Sequence, residues 1–434
     1  MATKNRLKIG IDTKTNEDIF LKEGNLLIVG KEGATKKDTI VYPILNQMIS
    51  QKDVGITIFD HTGLVSKVAY AIAKKNRRKI SYVDPMLRRV KFNPLRGNED
   101  DVISNFVNFF CSYNMESPRF FIDTGSRLLT YSIKVLKTTM GQNATLLDLQ
   151  KFLENIKGFG RHMVALFSRV SSSDPMTIQE QELITSWFLQ DYFNDKSKVY
   201  EYTSGVRAFL MDLLSNKAIA KMFNTSEEGE FLELDFKKHI ENKEVVIVNT
   251  NPADLGGAYS KIQTLIALHL QNVILHETKP VPHMLYFKEL LHLRPLFSDL
   301  FQASSFDHTF SMIAEMQNGF HYEYLHYEYK NGSFISSFPN VVIMPGTVMK
   351  EEFRNTIFSR REVEIMEDAD ADMDQHEFYY RMIDSCAKGY TVSGAAKGAL
   401  LPAEESEFLQ KRIKRYTREF ENQKRFSGGA VSTF

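Results

Sequence analysis

Lysines that follow a glycine-bearing turn at the end of an apolar run are the residue types that hold phosphate, and this chain places such a group early. Leu26-Leu-Ile-Val-Gly30-Lys-Glu-Gly33-Ala-Thr35-Lys36-Lys37 runs from a candidate strand into a turn, and an amphipathic segment follows over 39–49. In that layout, backbone N–H groups and the start of a helix surround a triphosphate while a lysine ammonium meets its outer oxygens. The residues expected to bind nucleotide are Gly30, Gly33, Thr35, Lys36 and Lys37, with Asp60 at the end of the next strand in Phe59-Asp60-His61-Thr62-Gly63. Two positions depart from the chemistry. The pattern G-x-x-x-x-G-K-[ST] has glycine where Thr35 stands and a magnesium-binding hydroxyl where Lys37 stands. Read one residue later, Lys37 becomes the phosphate lysine and Asp38 a metal ligand, and the loop is poor in glycine in either register. Plainer readings stand beside these. Lys36 reads equally as an exposed lysine at a helix start, and Asp60 as a cap of the following helix with Thr62 as its rival.

The elements that must position these residues follow from the apolar pattern. Segments 18–30, 54–60 and 77–84 read as strands, with a helix over 63–76 between the last two. That β-α-β-α-β order predicts a parallel sheet with right-handed crossovers, in which ligands gather at the carboxyl ends of the strands, where Asp60 lies. From 98 to 230 the period becomes helical. Val102, Phe106, Phe109 and Phe110 open it, Leu128, Leu129, Ile133 and Leu136 follow, then Leu146, Leu149, Leu153 and Ile156, and Val206, Leu210, Leu213 and Leu214 close it. Strand patterns return at 244–249, 283–287, 310–314 and 341–344, with a helix over 258–276; the segment at 310 reads equally as a piece of helix. The organisation expected is an α/β domain over 1–97, an inserted all-α domain over 98–230, the second part of the α/β domain over 231–350, and a charged, partly disordered extension over 351–434.

Length and composition bound the rest. A chain of 434 residues predicts two to three domains, and 43% hydrophobic with 25% charged residues is ordinary for a soluble protein. Formal net charge is zero, so nothing global favours nucleic acid or a membrane surface. Cys111 and Cys386 share no metal-type spacing and read as two thiols in a reducing compartment. No stretch reaches the ~20 apolar residues of a membrane span, and the N-terminus carries no signal-peptide core, so a cytoplasmic chain is expected, reaching a membrane only through partners.

Several segments in order resemble the TraG/TraD-type coupling ATPases of conjugative type IV secretion systems, which are RecA-like hexameric motors. The matching pieces are Gly30–Lys37, Asn46-Gln-Met-Ile, Gly55-Ile-Thr-Ile-Phe-Asp60-x-x-Gly63, Val83-Asp84-Pro85 and Phe92-Asn93-Pro94-Leu95, then Leu234-Asp-Phe-Lys-Lys-His and Met284-Leu-Tyr-Phe-Lys288-Glu289. The likeness spans roughly residues 20–320 and implies a RecA-like P-loop NTPase sheet with an inserted all-α domain. It also implies roles. Glu289 takes the place of the water-activating glutamate, and Gln317 that of a glutamine sensing the γ-phosphate. The family ends the 283–288 strand in an Asp-Glu pair whose Asp helps hold magnesium; here Lys288 replaces it. Lys37 and Lys288 thus put cations at both magnesium-ligand positions, so weak or absent hydrolysis is expected, because phosphoryl transfer rests on positioning and metal charge.

Three outcomes stay open: competent ATP turnover, ATP bound weakly or without magnesium, and no nucleotide. No metal site is assigned. The partners implied are conjugative transfer proteins (a relaxase or secretion-channel components) and DNA. Assembly would be as a homo-oligomer or with an active paralogue, without direct membrane insertion. The alternative is a catalytically inactive adaptor binding relaxase, secretion substrate or that paralogue. Family members usually carry N-terminal membrane helices, whereas this chain begins almost at its first strand. Lesser features have bland readings. The run Asp368–Asp374 matches the first half of an EF-hand loop, but Met373 and Tyr379 stand where glycine and glutamate belong, and a solvated acidic loop is expected. His321–Tyr329 alternates like a strand rather than a metal site, and Lys411–Arg418 reads as a solvated amphipathic helix or a contact for DNA phosphates.

Overall fold

Near-continuous apolar runs make the centre of the sheet. In the computed structural model, strands form at β1 (Leu7–Asp12), β2 (Asp18–Leu21), β3 (Leu26–Val29), β4 (Gly55–Asp60), β5 (Ile80–Val83), β6 (Val90–Lys91), β7 (Leu232–Glu233), β8 (Val245–Asn249), β9 (His283–Phe287), β10 (Phe310–Met316), β11 (Asn340–Ile343), β12 (Glu377–Ile383) and β13 (Thr391–Gly398). The structure describes residues 6–21, 23–114, 116–224, 232–277, 281–289, 310–317, 337–347, 376–383 and 391–427, together with Leu300, Arg360, Val363, Met373 and Asp374. Every residue of β3, β4, β8, β9 and β11 is buried, as strands covered on both faces require.

The chain divides into two units. One contains 1–83, 235–254 and 273–434; the other contains 84–234 and 255–272. The first unit holds an 11-stranded sheet in the order β2-β1-β13-β12-β11-β3-β10-β9-β4-β8-β5. From β11 to β5 the strands are parallel; from β12 to β2 they are antiparallel. The segment at 310 is a strand, inserted between β3 and β9 with Ala314 opposite both Leu27 and Phe287. The side chain of Arg78 fastens the amino-terminal edge of this region, donating to the carbonyls of Ile49, Gln51, Val54 and Lys243.

Within the stretch expected to be charged and irregular before a basic helical segment, the described residues are ordered into regular elements. They supply β12, β13 and a helix over Ala403–Ser427. β13 reads Thr-Val-Ser-Gly-Ala-Ala-Lys-Gly, too poor in large apolar residues to signal a strand. Its small residues are what the site requires, since a Cβ on Gly394 would lie 2.9 Å from Asp12 Oδ2 and 3.4 Å from the Tyr380 ring. Asp12 in turn accepts a 2.7 Å hydrogen bond from the Tyr380 hydroxyl. The carboxyl-terminal helix buries Leu409, Tyr416 and Phe420, and its aromatics close on Tyr70 and Tyr82 with ring centroids 4.7–5.1 Å apart. Lys411, Lys414, Arg415 and Arg418 on the same helix are exposed. Tyr379 is buried in β12 opposite Ile343, which makes it a core residue at the position where an EF-hand has its last ligand.

The second unit is helical apart from the two-residue pair β6–β7. Its main helices are Glu99–Tyr113, Arg119–Met140, Leu146–Glu154, Pro175–Trp187, Ser204–Leu214 and Tyr259–Asn272. Asn98 caps the first by accepting from Asp100 N at 2.9 Å, and Thr145 with Asp148 forms a capping box on the third. Phe106, Phe109, Leu128, Leu129, Ile133, Leu136, Leu149, Leu153, Val206 and Leu210 make its core. The Trp187 ring stacks on Tyr192 and meets Tyr131 edge-on. Cys111 forms no disulfide. Among the described residues no helix is long and apolar enough to cross a membrane. Asp368–Asp372, His321–Tyr329, Cys386 and the tail beyond 427 lie outside the described residues.

Candidate functional site

The phosphate loop leaves β3 at Gly30 and enters a helical run that starts at Ala34–Lys36, passes through a π-turn over Lys37–Val41 and continues as Tyr42–Ser50. π-turns inside helices occur often at functional sites. Gly30 is required by space. Its N–H donates to Met316 O at 2.9 Å, and a Cβ there would stand 2.6 Å from Met344 Cβ. Gly33 by contrast has nothing within 4 Å of where a Cβ would be, so the loop there is open. Thr35 is half-buried in the first helical turn.

Lys36 is the lysine that turns inward. It is 2% exposed, and its ammonium donates to Gly30 O at 2.9 Å. The alternative register loses its metal ligand, because Asp38 is exposed. Lys36 Nζ also lies 3.0 Å from Glu315 Oε2, a fully buried carboxylate on β10. The same oxygen accepts from Lys288 Nζ at 2.7 Å, and the other accepts from the Tyr286 hydroxyl. Strand order explains the arrangement. β10 lies between β3, which delivers Lys36 through its loop, and β9, which ends at Lys288, so a carboxylate at the end of β10 reaches both.

A second carboxylate closes the cluster from the loop. Glu32 Oε2 accepts from Lys288 Nζ at 2.7 Å and lies 3.8 Å from Lys36 Nζ, while its Oε1 pairs with Lys37 Nζ at 3.0 Å. Burial pushes the Glu32 carboxyl up, but Lys288, Lys37 and Lys36 outweigh it and hold the group below the usual carboxylate range. Burial alone would lower Lys288; Glu315 and Glu32 more than offset that and raise it above an ordinary lysine. Both are therefore charged at neutral pH.

The other expected residues take different places. Asp60 is fully buried, and its two oxygens are engaged by the turn that follows β4: Oδ1 accepts from Thr62 N and Thr62 Oγ1, and Oδ2 from Ser66 N, each at 2.7 Å. Gly63 makes that turn with a left-handed φ of 72°. Glu289 is 2% exposed, its Oε1 has no hydrogen-bond partner among the described residues, and burial raises it to about 8 despite the pull of Lys36. At neutral pH it is largely protonated. Gln317 is half-buried one residue beyond Met316, whose carbonyl holds Gly30 N–H. Glu32 and Glu315 were not among the residues expected from the sequence. A charged residue inside Ser-Met-Ile-Ala-Glu-Met was the available signal for Glu315; Glu32 between two glycines reads as loop.

No known family profile and no curated protein matches the chain. Solved structures do. Plasmid coupling protein TrwB in complex with ADP and Mg2+ superposes with a TM-score of 0.55 at 14% identity, covering 87% of this chain and 86% of that one. The trigonal, sulphate-bound form of TrwB gives 0.56 at 12% identity, with 87% and 86% covered. VirB4 of Thermoanaerobacter pseudethanolicus gives 0.55 at 12% identity over 92% of this chain and 97% of its own. The fold is that of a TraG/TrwB-type coupling ATPase. It is a RecA-like P-loop NTPase fold, and its sheet carries four antiparallel strands on the β11 side.

Within that coupling-ATPase fold the two ligands of the chemistry fit unequally. A phosphate group fits in the place of the Glu32 carboxylate, on which Lys36, Lys37 and Lys288 converge. A magnesium ion does not. The carboxylates at hand, Glu32 and Glu315, are each already bound to lysines, Asp60 is consumed by its turn, and Lys288 brings a fixed ammonium to the strand end. Among the described residues no group of His, Cys, Asp or Glu is arranged to hold a metal.

Proposed function

We propose that this protein is a coupling-ATPase-like component of a conjugative DNA-transfer or type IV secretion machine that retains a phosphate-binding loop and has lost magnesium-driven hydrolysis. The single observation carrying this is Lys288 Nζ, 2.7 Å from both Glu315 and Glu32. A cation tied into a buried network repels a second cation with little solvent screening.

The coupling-protein fold supports work beside conjugative transfer proteins, a relaxase or secretion-channel components, and assembly with copies of itself or with an active paralogue. The adaptor form of the reading would use the helical unit as its docking surface, where Met176, Leu183, Met211 and Phe120 are 73%, 58%, 57% and 56% exposed. ATP is the expected ligand of the loop, bound without a required metal. DNA contact is carried by the exposed Lys411, Lys414, Arg415 and Arg418 face of the carboxyl-terminal helix.

Phosphate release from ATP, measured with magnesium and with and without single-stranded DNA, tests this. We expect no turnover above a Lys36→Ala control. DNA-stimulated turnover that the control lacks would establish a motor and reject the proposal.

A further inference from the structure

One carboxylate lies within 4 Å of three ammonium groups, two from the loop and one from the residue that follows β9. Glu32 lies 2.7 Å from Lys288 Nζ, 3.0 Å from Lys37 Nζ and 3.8 Å from Lys36 Nζ. Three cations converging on one anion is the geometry in which a phosphate group is held, with short charge-assisted contacts from several sides. Exposure separates the members. The Lys36 and Lys288 side chains are 1% exposed and Glu315 is 0%, whereas Glu32 is 28%. Glu315 is locked between its lysines and the Tyr286 hydroxyl. Among the described residues of the cluster, Glu32 is the most exposed, with Lys37 next at 18%, and it sits on a turn with open space at Gly33.

Charge completes the argument. Glu315 pairs with Lys36 and Lys288, and Glu32 is the carboxylate that pairs with Lys37, so removing Glu32 takes a negative charge from beside all three ammoniums. Weakening the compensation of desolvated cations is costly, which favours another anion in the place of Glu32. We propose that Glu32 is an internal stand-in for a phosphate group. When it swings outward, Lys36, Lys37 and Lys288 bind the terminal phosphates of a polyphosphate without a metal ion. Lys288 thereby changes from a lost magnesium position to a phosphate ligand. This rests on the reading above that the loop still accepts phosphate, and adds its gate and its third lysine.

The test is titration calorimetry of the full chain with tripolyphosphate and with ATP, both in EDTA, using native protein, Glu32→Gln, and Glu32→Gln with Lys37→Ala. Glu32 and Lys37 are both partly exposed, and far-ultraviolet circular dichroism checks that each variant is folded. Relief of competition by a unit negative charge at contact distance should tighten tripolyphosphate binding about tenfold or more in Glu32→Gln, and the added Lys37→Ala should remove most of that gain. ATP binding tighter than tripolyphosphate assigns the site to nucleotide; equal binding assigns it to the polyphosphate alone, and either agrees with the proposal. Affinity in Glu32→Gln equal to or weaker than native overturns it, as does a gain that survives Lys37→Ala. Its failure is separable from failure of the proposed function, which would be seen as magnesium-dependent phosphate release by the native chain whatever Glu32 does.

Discussion

Lys36 Nζ and Glu315 Oε2 lie 3.0 Å apart, and neither side chain is more than 1% exposed. The pair joins the loop after β3 to the neighbouring strand β10, and Lys288 on the far side of β10 shares the same carboxylate oxygen. The site is therefore part of the sheet's own core. Replacing Glu315 strips Lys36 of its nearest counter-ion inside the protein, which is where the cost of a buried ion pair becomes visible.

Glu315→Gln should lower unfolding free energy by about 3–5 kcal/mol, because Lys36 and Lys288 both lose their counter-ion while staying buried. Urea unfolding followed by circular dichroism measures it. Adding Lys288→Met should cost less than the two single losses summed, since the second change removes a charge the first stranded. Strict additivity would mean the network is not coupled.

Glu289 makes stability fall with rising pH. Its folded value of about 8 lies above the ordinary 4.5, so the folded state holds a proton that the unfolded state releases between those values. The contribution is intact below pH 4.5 and is lost progressively up to about 8, at no more than roughly 1.4 kcal/mol per pH unit. Glu289→Gln should flatten this branch and stabilise the protein most at pH 8. Parallel melting curves for the two proteins across that range would contradict it.

His283 acts on the acid side with the opposite sign. Burial lowers it from 6.5 to about 3; its Nε2 pairs with Thr57 Oγ1 at 3.0 Å. The unfolded state binds the extra proton, so stability is full above pH 6.5 and falls as pH drops toward 3. His283→Gln should reduce the steepness of acid unfolding over that window, at some cost in packing at neutral pH. An unchanged acid slope would place the proton uptake elsewhere.

Phe420 holds the carboxyl-terminal helix on the α/β unit by stacking at 4.7 Å on Tyr82 and meeting Tyr70 at 5.1 Å. Phe420→Ala should cost about 3 kcal/mol. Amide exchange over 403–427 should quicken more than exchange in β3 or β4; uniform quickening would mean the helix opens only with the whole unit.

The parallel core was legible because apolar runs of strand length stood between turn residues, and the helical unit because its apolar period is 3.6 over long stretches. β12 and β13 were not. β13 pairs with β1 at the other end of the chain, where Asp12 holds Tyr380 of β12, and a local pattern carries no such information. The same limit governs the site. Lys36, Lys37 and Lys288 could be singled out by comparison with what phosphate chemistry requires. Glu315 and Glu32 acquire their roles only when β10 is inserted between β3 and β9, which brings together residues more than 250 positions apart, as the 256-residue separation of Glu32 and Lys288 illustrates.

The most direct test of the central claim, that a fixed ammonium at Lys288 has taken the place of the metal, is ATP affinity measured calorimetrically in EDTA and again with magnesium, beside a Lys36→Ala control. The account predicts that magnesium leaves the native affinity unchanged or weakens it, with Lys36→Ala losing binding in both. Binding that tightens with magnesium and disappears in the control would contradict it, because a metal would then be held where these residues leave no ligand for one.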